Sequence, residues 1–394
     1  MITDKIKNLS NQYFEKMVSC RHEIHMHPEL AFEEFATSRL VIETLTDHGI
    51  PSTCGIAGTG VVALIEGRNP GKTVMLRADM DALPIDEAVD VEYRSRIQNR
   101  MHACGHDGNV AGLLGAAMIL NDLRNEFDGN VKLVFQPAEE RGGGAPKMIQ
   151  AGVLKDPPVD AAFACHVQGK LQEGKVQFCP GPMLAASGGF KFRITGKGGH
   201  AGHPHLSVDP ITIGAQAITY LQTIVSRRIN PLEPAVISIG AVHSGQAGNV
   251  IPDSLEAVGT IRVFNPEVYE KIIEEMENIL KRVTQAEGAG YSLEHTELWP
   301  ALVNDEAMTR LACKSFAKIV GGDNVIFKRS PSMSNEDFAF FGNSVPSTYI
   351  MVGIAKEENK PVCHHSAHFQ WDDKNIRTLA EGMAQIAIDY LTLP

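Results

Sequence analysis

The sequence predicts an α/β protein with a mainly parallel, mixed sheet flanked by helices and a smaller α+β domain inserted into it. Three observations lead to this fold class. Short apolar runs alternate with helix-like stretches, as expected for strands covered on both faces. The middle of the chain has the βαββαβ order of a ferredoxin-like unit. A length of 394 residues suggests two domains. We expect a discontinuous domain of residues 1–186 and 299–394 and an insertion of residues 187–298.

The first domain is expected to begin with an amphipathic helix over residues 4–27, which ends at Pro28. A second helix, rich in small residues, is expected over 108–124. The predicted strands of the main sheet are Lys72–Leu76, Val131–Phe135 and Val159–Cys165. Helices between consecutive strands favour parallel pairing.

The pattern changes after Pro180-Gly181-Pro182, where the inserted domain is expected to follow. Its second helix has a clear start, because Asn265 suits the N-cap and Pro266 suits the first helical position. The predicted elements are strand 187–195, helix 207–228, strand 235–243, strand 254–264, helix 266–286 and strand 290–298.

The composition limits the classes of function. A formal net charge of −11 argues against binding to nucleic acid or to anionic membrane surfaces. The chain starts without the apolar region of a signal peptide and has no apolar run of about 18 residues. Seven cysteines without regular spacing are typical of reduced thiols. We therefore expect a cytoplasmic protein.

Polar residues follow each predicted strand of the main sheet. Asp79 and Asp81 follow the first strand, the adjacent Glu139 and Glu140 follow the second, and His166 follows the third. In open α/β sheets the ligand crevice lies at the carboxyl ends of the strands, so these residues are expected to meet at one site. Adjacent carboxylates disfavour each other's ionisation, and a bound cation removes that cost.

Two further segments carry metal-ligand side chains. In the segment 102–107, Cys104 and His106 are two residues apart and would face the same way in extended backbone. The segment Cys363-His364-His365-Ser366 lies near the C-terminus. Thiolate, imidazole and carboxylate are ligands of zinc-like ions, so the sequence predicts a metal site.

Other functions fit parts of the sequence. Residues 58–63 and 196–201 match a dinucleotide fingerprint, but the first leads into a strand and the second lacks an acidic residue about 20 positions later, so we reject both. A thiol-based redox protein or cysteine hydrolase centred on Cys104 would survive chelation. A non-catalytic metal-binding protein would not need Glu139.

Four segments occur in the order of the motifs of a known family. They are Leu76-Arg77-Ala78-Asp79-Met80-Asp81-Ala82-Leu83-Pro84, Met101-His102-Ala103-Cys104-Gly105-His106-Asp107, Phe135-Gln136-Pro137-Ala138-Glu139-Glu140 and Gly196-Lys197-Gly198-Gly199-His200-Ala201. Together they resemble the aminoacylase/carboxypeptidase family of metallohydrolases. The resemblance is closest to its amidohydrolase branch, which includes auxin-amino-acid hydrolases, hippurate hydrolases and N-acyl-amino-acid deacetylases.

The resemblance implies a role for each matching residue of the first domain. Glu139 would be the general base, and Asp81 would support the metal site without binding the ion. The implied cofactor is one or two divalent ions per subunit, with zinc first and manganese, cobalt or nickel as other choices. The implied metal ligands are Cys104 as a bridge, His106, Glu140, His166 and His365.

The resemblance also implies that the inserted domain is a lid and dimerisation domain. His200 would reach across a homodimer, or across a dimer within a tetramer, to polarise the scissile carbonyl. Asn249 and Arg262 would contact substrate. The implied reaction is hydrolysis of acetyl, benzoyl or aryl-acyl amino acids or short peptides by metal-activated water. The alternative is a metallo-carboxypeptidase or dipeptidase that acts on unblocked peptides.

Three positions depart from the usual pattern of the family. Asn109 replaces a histidine, Asn335 replaces a glycine, and Ala367 replaces a proline. None of these changes removes an implied ligand. Asn109 and Asn335 are expected to alter the pocket. The sequence therefore does not identify the acyl group or the amino acid of the substrate.

Overall fold

The computed structural model describes residues 1–141, 143–329, 331–357 and 360–393. The chain forms two compact units. Among the described residues, none of the helices combines the length and apolar character that crossing a bilayer requires. The first unit comprises residues 1–183, 303–330 and 337–394, and the second comprises residues 184–302 and 331–336.

The helices predicted from the sequence are present, with ends that differ by no more than about three residues, a normal uncertainty for helix ends. The α-helices of the described residues are α1 (Ile2–Met26), α2 (Phe35–Asp47), α3 (His106–Asp122), α4 (Gly144–Gln150), α5 (Pro210–Arg227), α6 (Pro266–Glu287), α7 (Glu306–Val320), α8 (Ala339–Gly342) and α9 (Ile376–Leu391).

The strands range from two to twelve residues in length. They are β1 (Ser52–Ile56), β2 (Gly60–Glu66), β3 (Thr73–Asp79), β4 (Asn130–Gln136), β5 (Ala161–Gln172), β6 (Val176–Phe178), β7 (Gly181–Leu184), β8 (Ala186–Thr195), β9 (Gly199–His200), β10 (Ala235–Ser244), β11 (Val250–Ile251), β12 (Ser254–Val263), β13 (Gly290–His295), β14 (Leu302–Asn304), β15 (Val325–Phe327) and β16 (Ser347–Ala355).

The first unit is built on an eight-stranded sheet in the order β1-β2-β4-β3-β5-β16-β6-β15. The central pairs β4-β3, β3-β5 and β5-β16 are parallel, whereas β1-β2, β2-β4 and β16-β6 are antiparallel. Every residue of β3 is buried. Helix α3 is buried along its first fifteen residues, because helices α1 and α9 pack against it. The predicted class, a mainly parallel mixed sheet flanked by helices, is confirmed.

The predicted end of the third strand is wrong. We expected it to stop at Cys165, but β5 continues past His166 to Gln172. The reason is the neighbouring strand β16, which pairs with β5 from Ala162 through His166 and onwards. On the other side of β5, pairing with β3 stops at Ala164, so the ring of His166 lies beyond the last β3 pair. His166 is therefore at the edge of the β3–β5 ladder, although it is inside a strand.

The second unit has a four-stranded antiparallel sheet in the order β10-β12-β8-β13, with α5 and α6 packed against it. Its chain order is the predicted βαββαβ. Asn265 caps α6 by accepting a hydrogen bond from the backbone N–H of Glu267 at 3.0 Å. The last strand ends at His295, earlier than predicted, where its pairing with Phe190 of β8 also ends. The lid and dimerisation roles of this unit stay predictions.

Candidate metal centre

The first part of the site is the carboxyl end of β3. Asp79 is fully buried and accepts a hydrogen bond from the Arg77 guanidinium at 2.7 Å. Arg77 is itself buried and also donates to Asp337 at 3.0 Å. Burial alone would raise the pKa of Asp79, but the positive charges of His106 and Arg77 outweigh it and hold that pKa below its ordinary value. A fixed negative charge therefore lies at the rim of the sheet.

Asp81 connects three parts of the site. Its two carboxylate oxygens accept hydrogen bonds from the backbone N–H groups of Glu139 at 2.9 Å and Glu140 at 3.0 Å. Its backbone carbonyl accepts a hydrogen bond from Nδ1 of His106 at 2.8 Å. Asp81 thus holds the neighbouring groups in place, and its predicted role in supporting a metal ion stays a prediction.

The ring of His106 presents an unpartnered nitrogen to the site. Because a carbonyl oxygen can only accept, Nδ1 is the atom that donates to Asp81. Nε2 is buried without a hydrogen-bond partner and lies 3.7 Å from Asp79. Burial would lower the pKa of His106, but Asp79 and Cys104 outweigh it and raise that pKa well above its ordinary value. A buried imidazole nitrogen with its other nitrogen bonded to a carbonyl is the usual arrangement of a metal ligand.

Cys104 lies close to two histidines, His106 and His166. Its Sγ is 3.6 Å from Nε2 of His166, whose Nδ1 donates to the carbonyl of Val167 at 2.7 Å. Gly105 has φ +95°, a left-handed conformation, and it starts α3 directly before His106. One ligand atom from each of Cys104, His106 and His166 lies within 4.8 Å of the others.

A second group of three ligand atoms, again within 4.8 Å, consists of Cys104, Glu140 and His365. Nε2 of His365 lies 3.1 Å from Oε1 of Glu140. Hydrogen bonds to Cys104 and Glu140 raise the pKa of His365 to about 10. The backbone N–H of His365 donates to the carbonyl of Ala103 at 2.9 Å, which ties the C-terminal loop to the cysteine segment.

The donor atoms fit a pair of divalent ions. The two groups share Cys104, and a third group of His106, Glu139 and Glu140 also lies within 4.8 Å. A zinc ion held by three such side chains would keep a position for water, as in catalytic zinc sites. The structure thus brings together the five predicted ligands and Glu139 in the first unit.

Sequence reasoning missed that His364 lies close to the thiol of Cys104. Its Nε2 accepts a hydrogen bond from the backbone N–H of Gly169 at 3.0 Å, so its proton is on Nδ1. That Nδ1 lies 3.9 Å from Sγ of Cys104. Burial and the charge of His166 lower the pKa of His364 to about 3, which keeps the ring neutral. Its position beside His365 was visible in the sequence, but nothing there indicated a contact with the thiol.

The three predicted substrate contacts all lie in the second unit. His200 pairs with Val250 between β9 and β11, and the carbonyl of Asn249 accepts from the N–H of Ala201 at 3.1 Å, so His200 and Asn249 are neighbours. Nδ1 of His200 accepts from the N–H of Gly202 at 2.9 Å, which leaves the proton of a neutral ring on Nε2.

The third contact, Arg262, is a half-buried residue of β12 that bonds the hydroxyl of Thr260. Burial lowers the pKa of Arg262. Of the two asparagines that depart from the family pattern, Asn109 donates to Asp79 at 2.8 Å and Asn335 donates to the carbonyl of Ala185 at 2.9 Å. Asn109 is therefore part of the charge arrangement at the end of β3.

The chain belongs to peptidase family M20/M25/M40, whose family model matches residues 75–389. It is similar to thermostable carboxypeptidase 2 of Saccharolobus solfataricus, with 38% identity over 394 residues and 99% of each chain covered. It is 36% identical over 381 residues to the N-acetylcysteine deacetylase of Bacillus subtilis (strain 168), covering 95% of this chain and 97% of that one.

Among solved structures, the chain is similar to the Bacillus subtilis YXEP protein, a dinuclear metal binding peptidase from the M20 family. The TM-score is 0.83 at 31% identity, with 97% of this chain and 99% of that chain covered. The predicted family resemblance is confirmed, and so is the predicted class of enzyme, a metal-dependent hydrolase of amide bonds.

Proposed function

We propose that this protein hydrolyses the amide bond of N-acyl amino acids, with Glu139 as general base beside two ligand groups, both including Cys104, that would hold two divalent ions. The observation that carries the proposal is the pair of three-ligand groups with a common thiol, next to which a second glutamate is held by Asp81. A binding protein would need the ligands but would have no use for Glu139.

Cys104, His106 and His166 would hold one ion, and Cys104, Glu140 and His365 would hold the other. When bound, divalent ions lower the pKa of a water molecule towards neutrality and polarise an amide carbonyl. Zinc suits this mixture of thiolate, imidazole and carboxylate, and manganese, cobalt or nickel are the other choices.

Glu139 would accept the proton of the attacking water and return it to the leaving amine. Its backbone is held by Asp81, and it has a ligand atom within 4.8 Å of one from His106 and one from Glu140. The side chain is therefore beside the proposed ions.

His200 would donate its Nε2 proton to the carbonyl oxygen, where negative charge develops in the transition state. The N–H of Gly202 on Nδ1 supports this role, because it leaves the proton of a neutral ring on Nε2. Asn249 would contact the substrate beside His200, and Arg262 would pair with its carboxylate. We further propose a homodimer in which each His200 serves the partner subunit, and a cytoplasmic location.

The names of two relatives support different substrates for this protein. The similarity to an N-acetylcysteine deacetylase supports the first, and the similarity to a carboxypeptidase supports hydrolysis of unblocked peptides as the second candidate. The same ligands and general base would serve both reactions, so only a substrate assay distinguishes the two candidates.

A substrate panel tests the proposal. Acetyl-, benzoyl- and indoleacetyl-amino acids and short peptides are assayed with added zinc, manganese or cobalt, with Glu139→Gln as the matched control. We expect hydrolysis of N-acyl amino acids that stops on exhaustive chelation and in Glu139→Gln, while that variant keeps its metal by elemental analysis. Hydrolysis of unblocked peptides alone would favour the second candidate. Activity that survives chelation, or a fully active Glu139→Gln, would contradict the proposal.

A further inference from the structure

Two buried carboxylates bind three consecutive backbone N–H groups of the turn 138–140. Asp81 accepts from Glu139 and Glu140, as described above. The remaining N–H, that of Ala138, donates to Oε1 of Glu34 at 2.9 Å. The general base of the proposed reaction is therefore held from both sides by backbone hydrogen bonds.

Glu34 is fully buried, at 0% exposure, directly before α2. Its second oxygen, Oε2, accepts the hydroxyl of Thr59 at 2.5 Å. Burying a carboxylate is costly unless its oxygens have donors, and here both oxygens have one. Because a backbone N–H can only donate, Oε1 must act as the acceptor whether or not the carboxyl carries a proton. The contact with Ala138 therefore does not depend on the ionisation of Glu34.

The backbone of Ala138 needs this support. Its φ is +54°, in the left-handed region that is unfavourable for residues with a Cβ. Local preference would turn this residue towards other conformations, and such a residue persists only where surrounding contacts hold it. Since Ala138 immediately precedes Glu139, a change of its φ would move the carboxylate of Glu139 away from its position.

We propose that Glu34 is a positioning residue, which holds Ala138 in its left-handed conformation and so places the carboxylate of Glu139 for proton transfer. This inference rests on the proposed function, because it assumes that Glu139 is the general base. Glu34 itself contacts none of the five proposed ligands through the hydrogen bonds described, so it should act on turnover and leave metal binding unchanged.

The test compares three variants. Glu34→Leu removes the acceptor and keeps a similar volume, whereas Glu34→Gln keeps an Oε1 that can accept from Ala138. Glu29→Gln is the matched control, because the Glu29 carboxylate binds the backbone of Ala36 and Thr37 at 2.9 Å, and its hydrogen bonds among the described residues do not reach the turn. If Glu34→Leu does not fold, Glu34→Asp replaces it. The aspartate side chain is one methylene shorter, so its carboxylate should not reach the N–H of Ala138.

We expect Glu34→Leu to lower kcat by roughly tenfold to a hundredfold, the loss typical of a misplaced catalytic group. Its KM should change by less than about twofold and its metal content should equal that of the wild type, because substrate and metal contacts are intact. Glu34→Gln and Glu29→Gln should keep kcat within about threefold of the wild type. A crystal structure of Glu34→Leu should show a changed φ at Ala138.

Parallel measurement of Glu139→Gln separates two kinds of failure. If Glu139→Gln is inactive while Glu34→Leu keeps the wild-type kcat, the positioning role is wrong and the proposed function stands. If Glu139→Gln is fully active, the proposed function itself is wrong. An equal loss of kcat in Glu34→Leu and Glu29→Gln, or a loss of metal in Glu34→Leu, would also overturn the positioning role.

Discussion

Replacing Asp81 by asparagine should remove most of the turnover without removing the metal. Both carboxylate oxygens of Asp81 accept backbone N–H groups, from Glu139 and Glu140, and the residue is 1% exposed. An asparagine side chain has only one oxygen, so its NH₂ group would face the other N–H. One buried donor would then be left unsatisfied next to the general base.

The expected size of the effect follows from that lost bond. An unsatisfied buried donor costs about 1–3 kcal/mol. If the turn relieves this cost by moving Glu139, the barrier rises by up to the same amount, which corresponds to roughly a 5- to 150-fold fall in kcat. The carbonyl of Asp81 still accepts from His106, so that metal ligand should keep its position.

The assay measures kcat at saturating substrate together with metal content by elemental analysis. Asp305→Asn is the matched control, because the carboxylate of Asp305 accepts a single N–H, from Met308 at 2.8 Å, and an asparagine caps a helix equally well. We expect the control to be fully active. An Asp81→Asn variant within about twofold of the wild-type kcat would refute the reasoning.

Three further outcomes are expected. Arg77→Met should lower the free energy of unfolding by about 3–5 kcal/mol, since it removes the guanidinium that pairs with buried Asp79 and Asp337. The exposed Arg193→Met should lower it by less than about 1 kcal/mol, and equal urea midpoints for the two variants would count against this account. Burial lowers the pKa of His25, but Asp107 and Glu87 outweigh it and raise that pKa to about 9 from 6.5. The stabilisation from His25 is therefore complete below about pH 6.5 and is lost as the pH rises towards 9. Urea unfolding between these values should show this loss in the wild type and not in His25→Gln, and identical pH profiles would speak against it. Cys104→Ala, which removes the shared ligand, should lose more than about half of the bound metal by elemental analysis, and wild-type metal content would contradict the shared position.

The sequence predicted elements whose signals are local. The caps and apolar face of α6 lie within one segment, and the βαββαβ order follows from short periodic runs. Cys104 and His106 were predicted as neighbours from their spacing. The end of β5 was not predicted correctly, because its length depends on β16, which lies far away in the chain.

The contacts that complete the site are long-range and leave no local signal. The segment 363–366 was expected in the site from its residue types, but the choice of His365 over His364 as a ligand came only from the family resemblance, although both lie close to Cys104. Glu34 is 104 residues from Ala138, and Arg77 is 260 residues from Asp337. Only the folded chain shows that Glu34 is buried with hydrogen bonds from Ala138 and Thr59, and that Arg77 is buried and paired with Asp79 and Asp337.

The most direct measurement is anomalous X-ray diffraction from crystals of the zinc-loaded protein. The account predicts two zinc peaks, both at about 2.3 Å from Sγ of Cys104, with one bound by His106 and His166 and the other by Glu140 and His365. Zinc peaks elsewhere, or a Cys104 sulfur that touches no zinc, would contradict it.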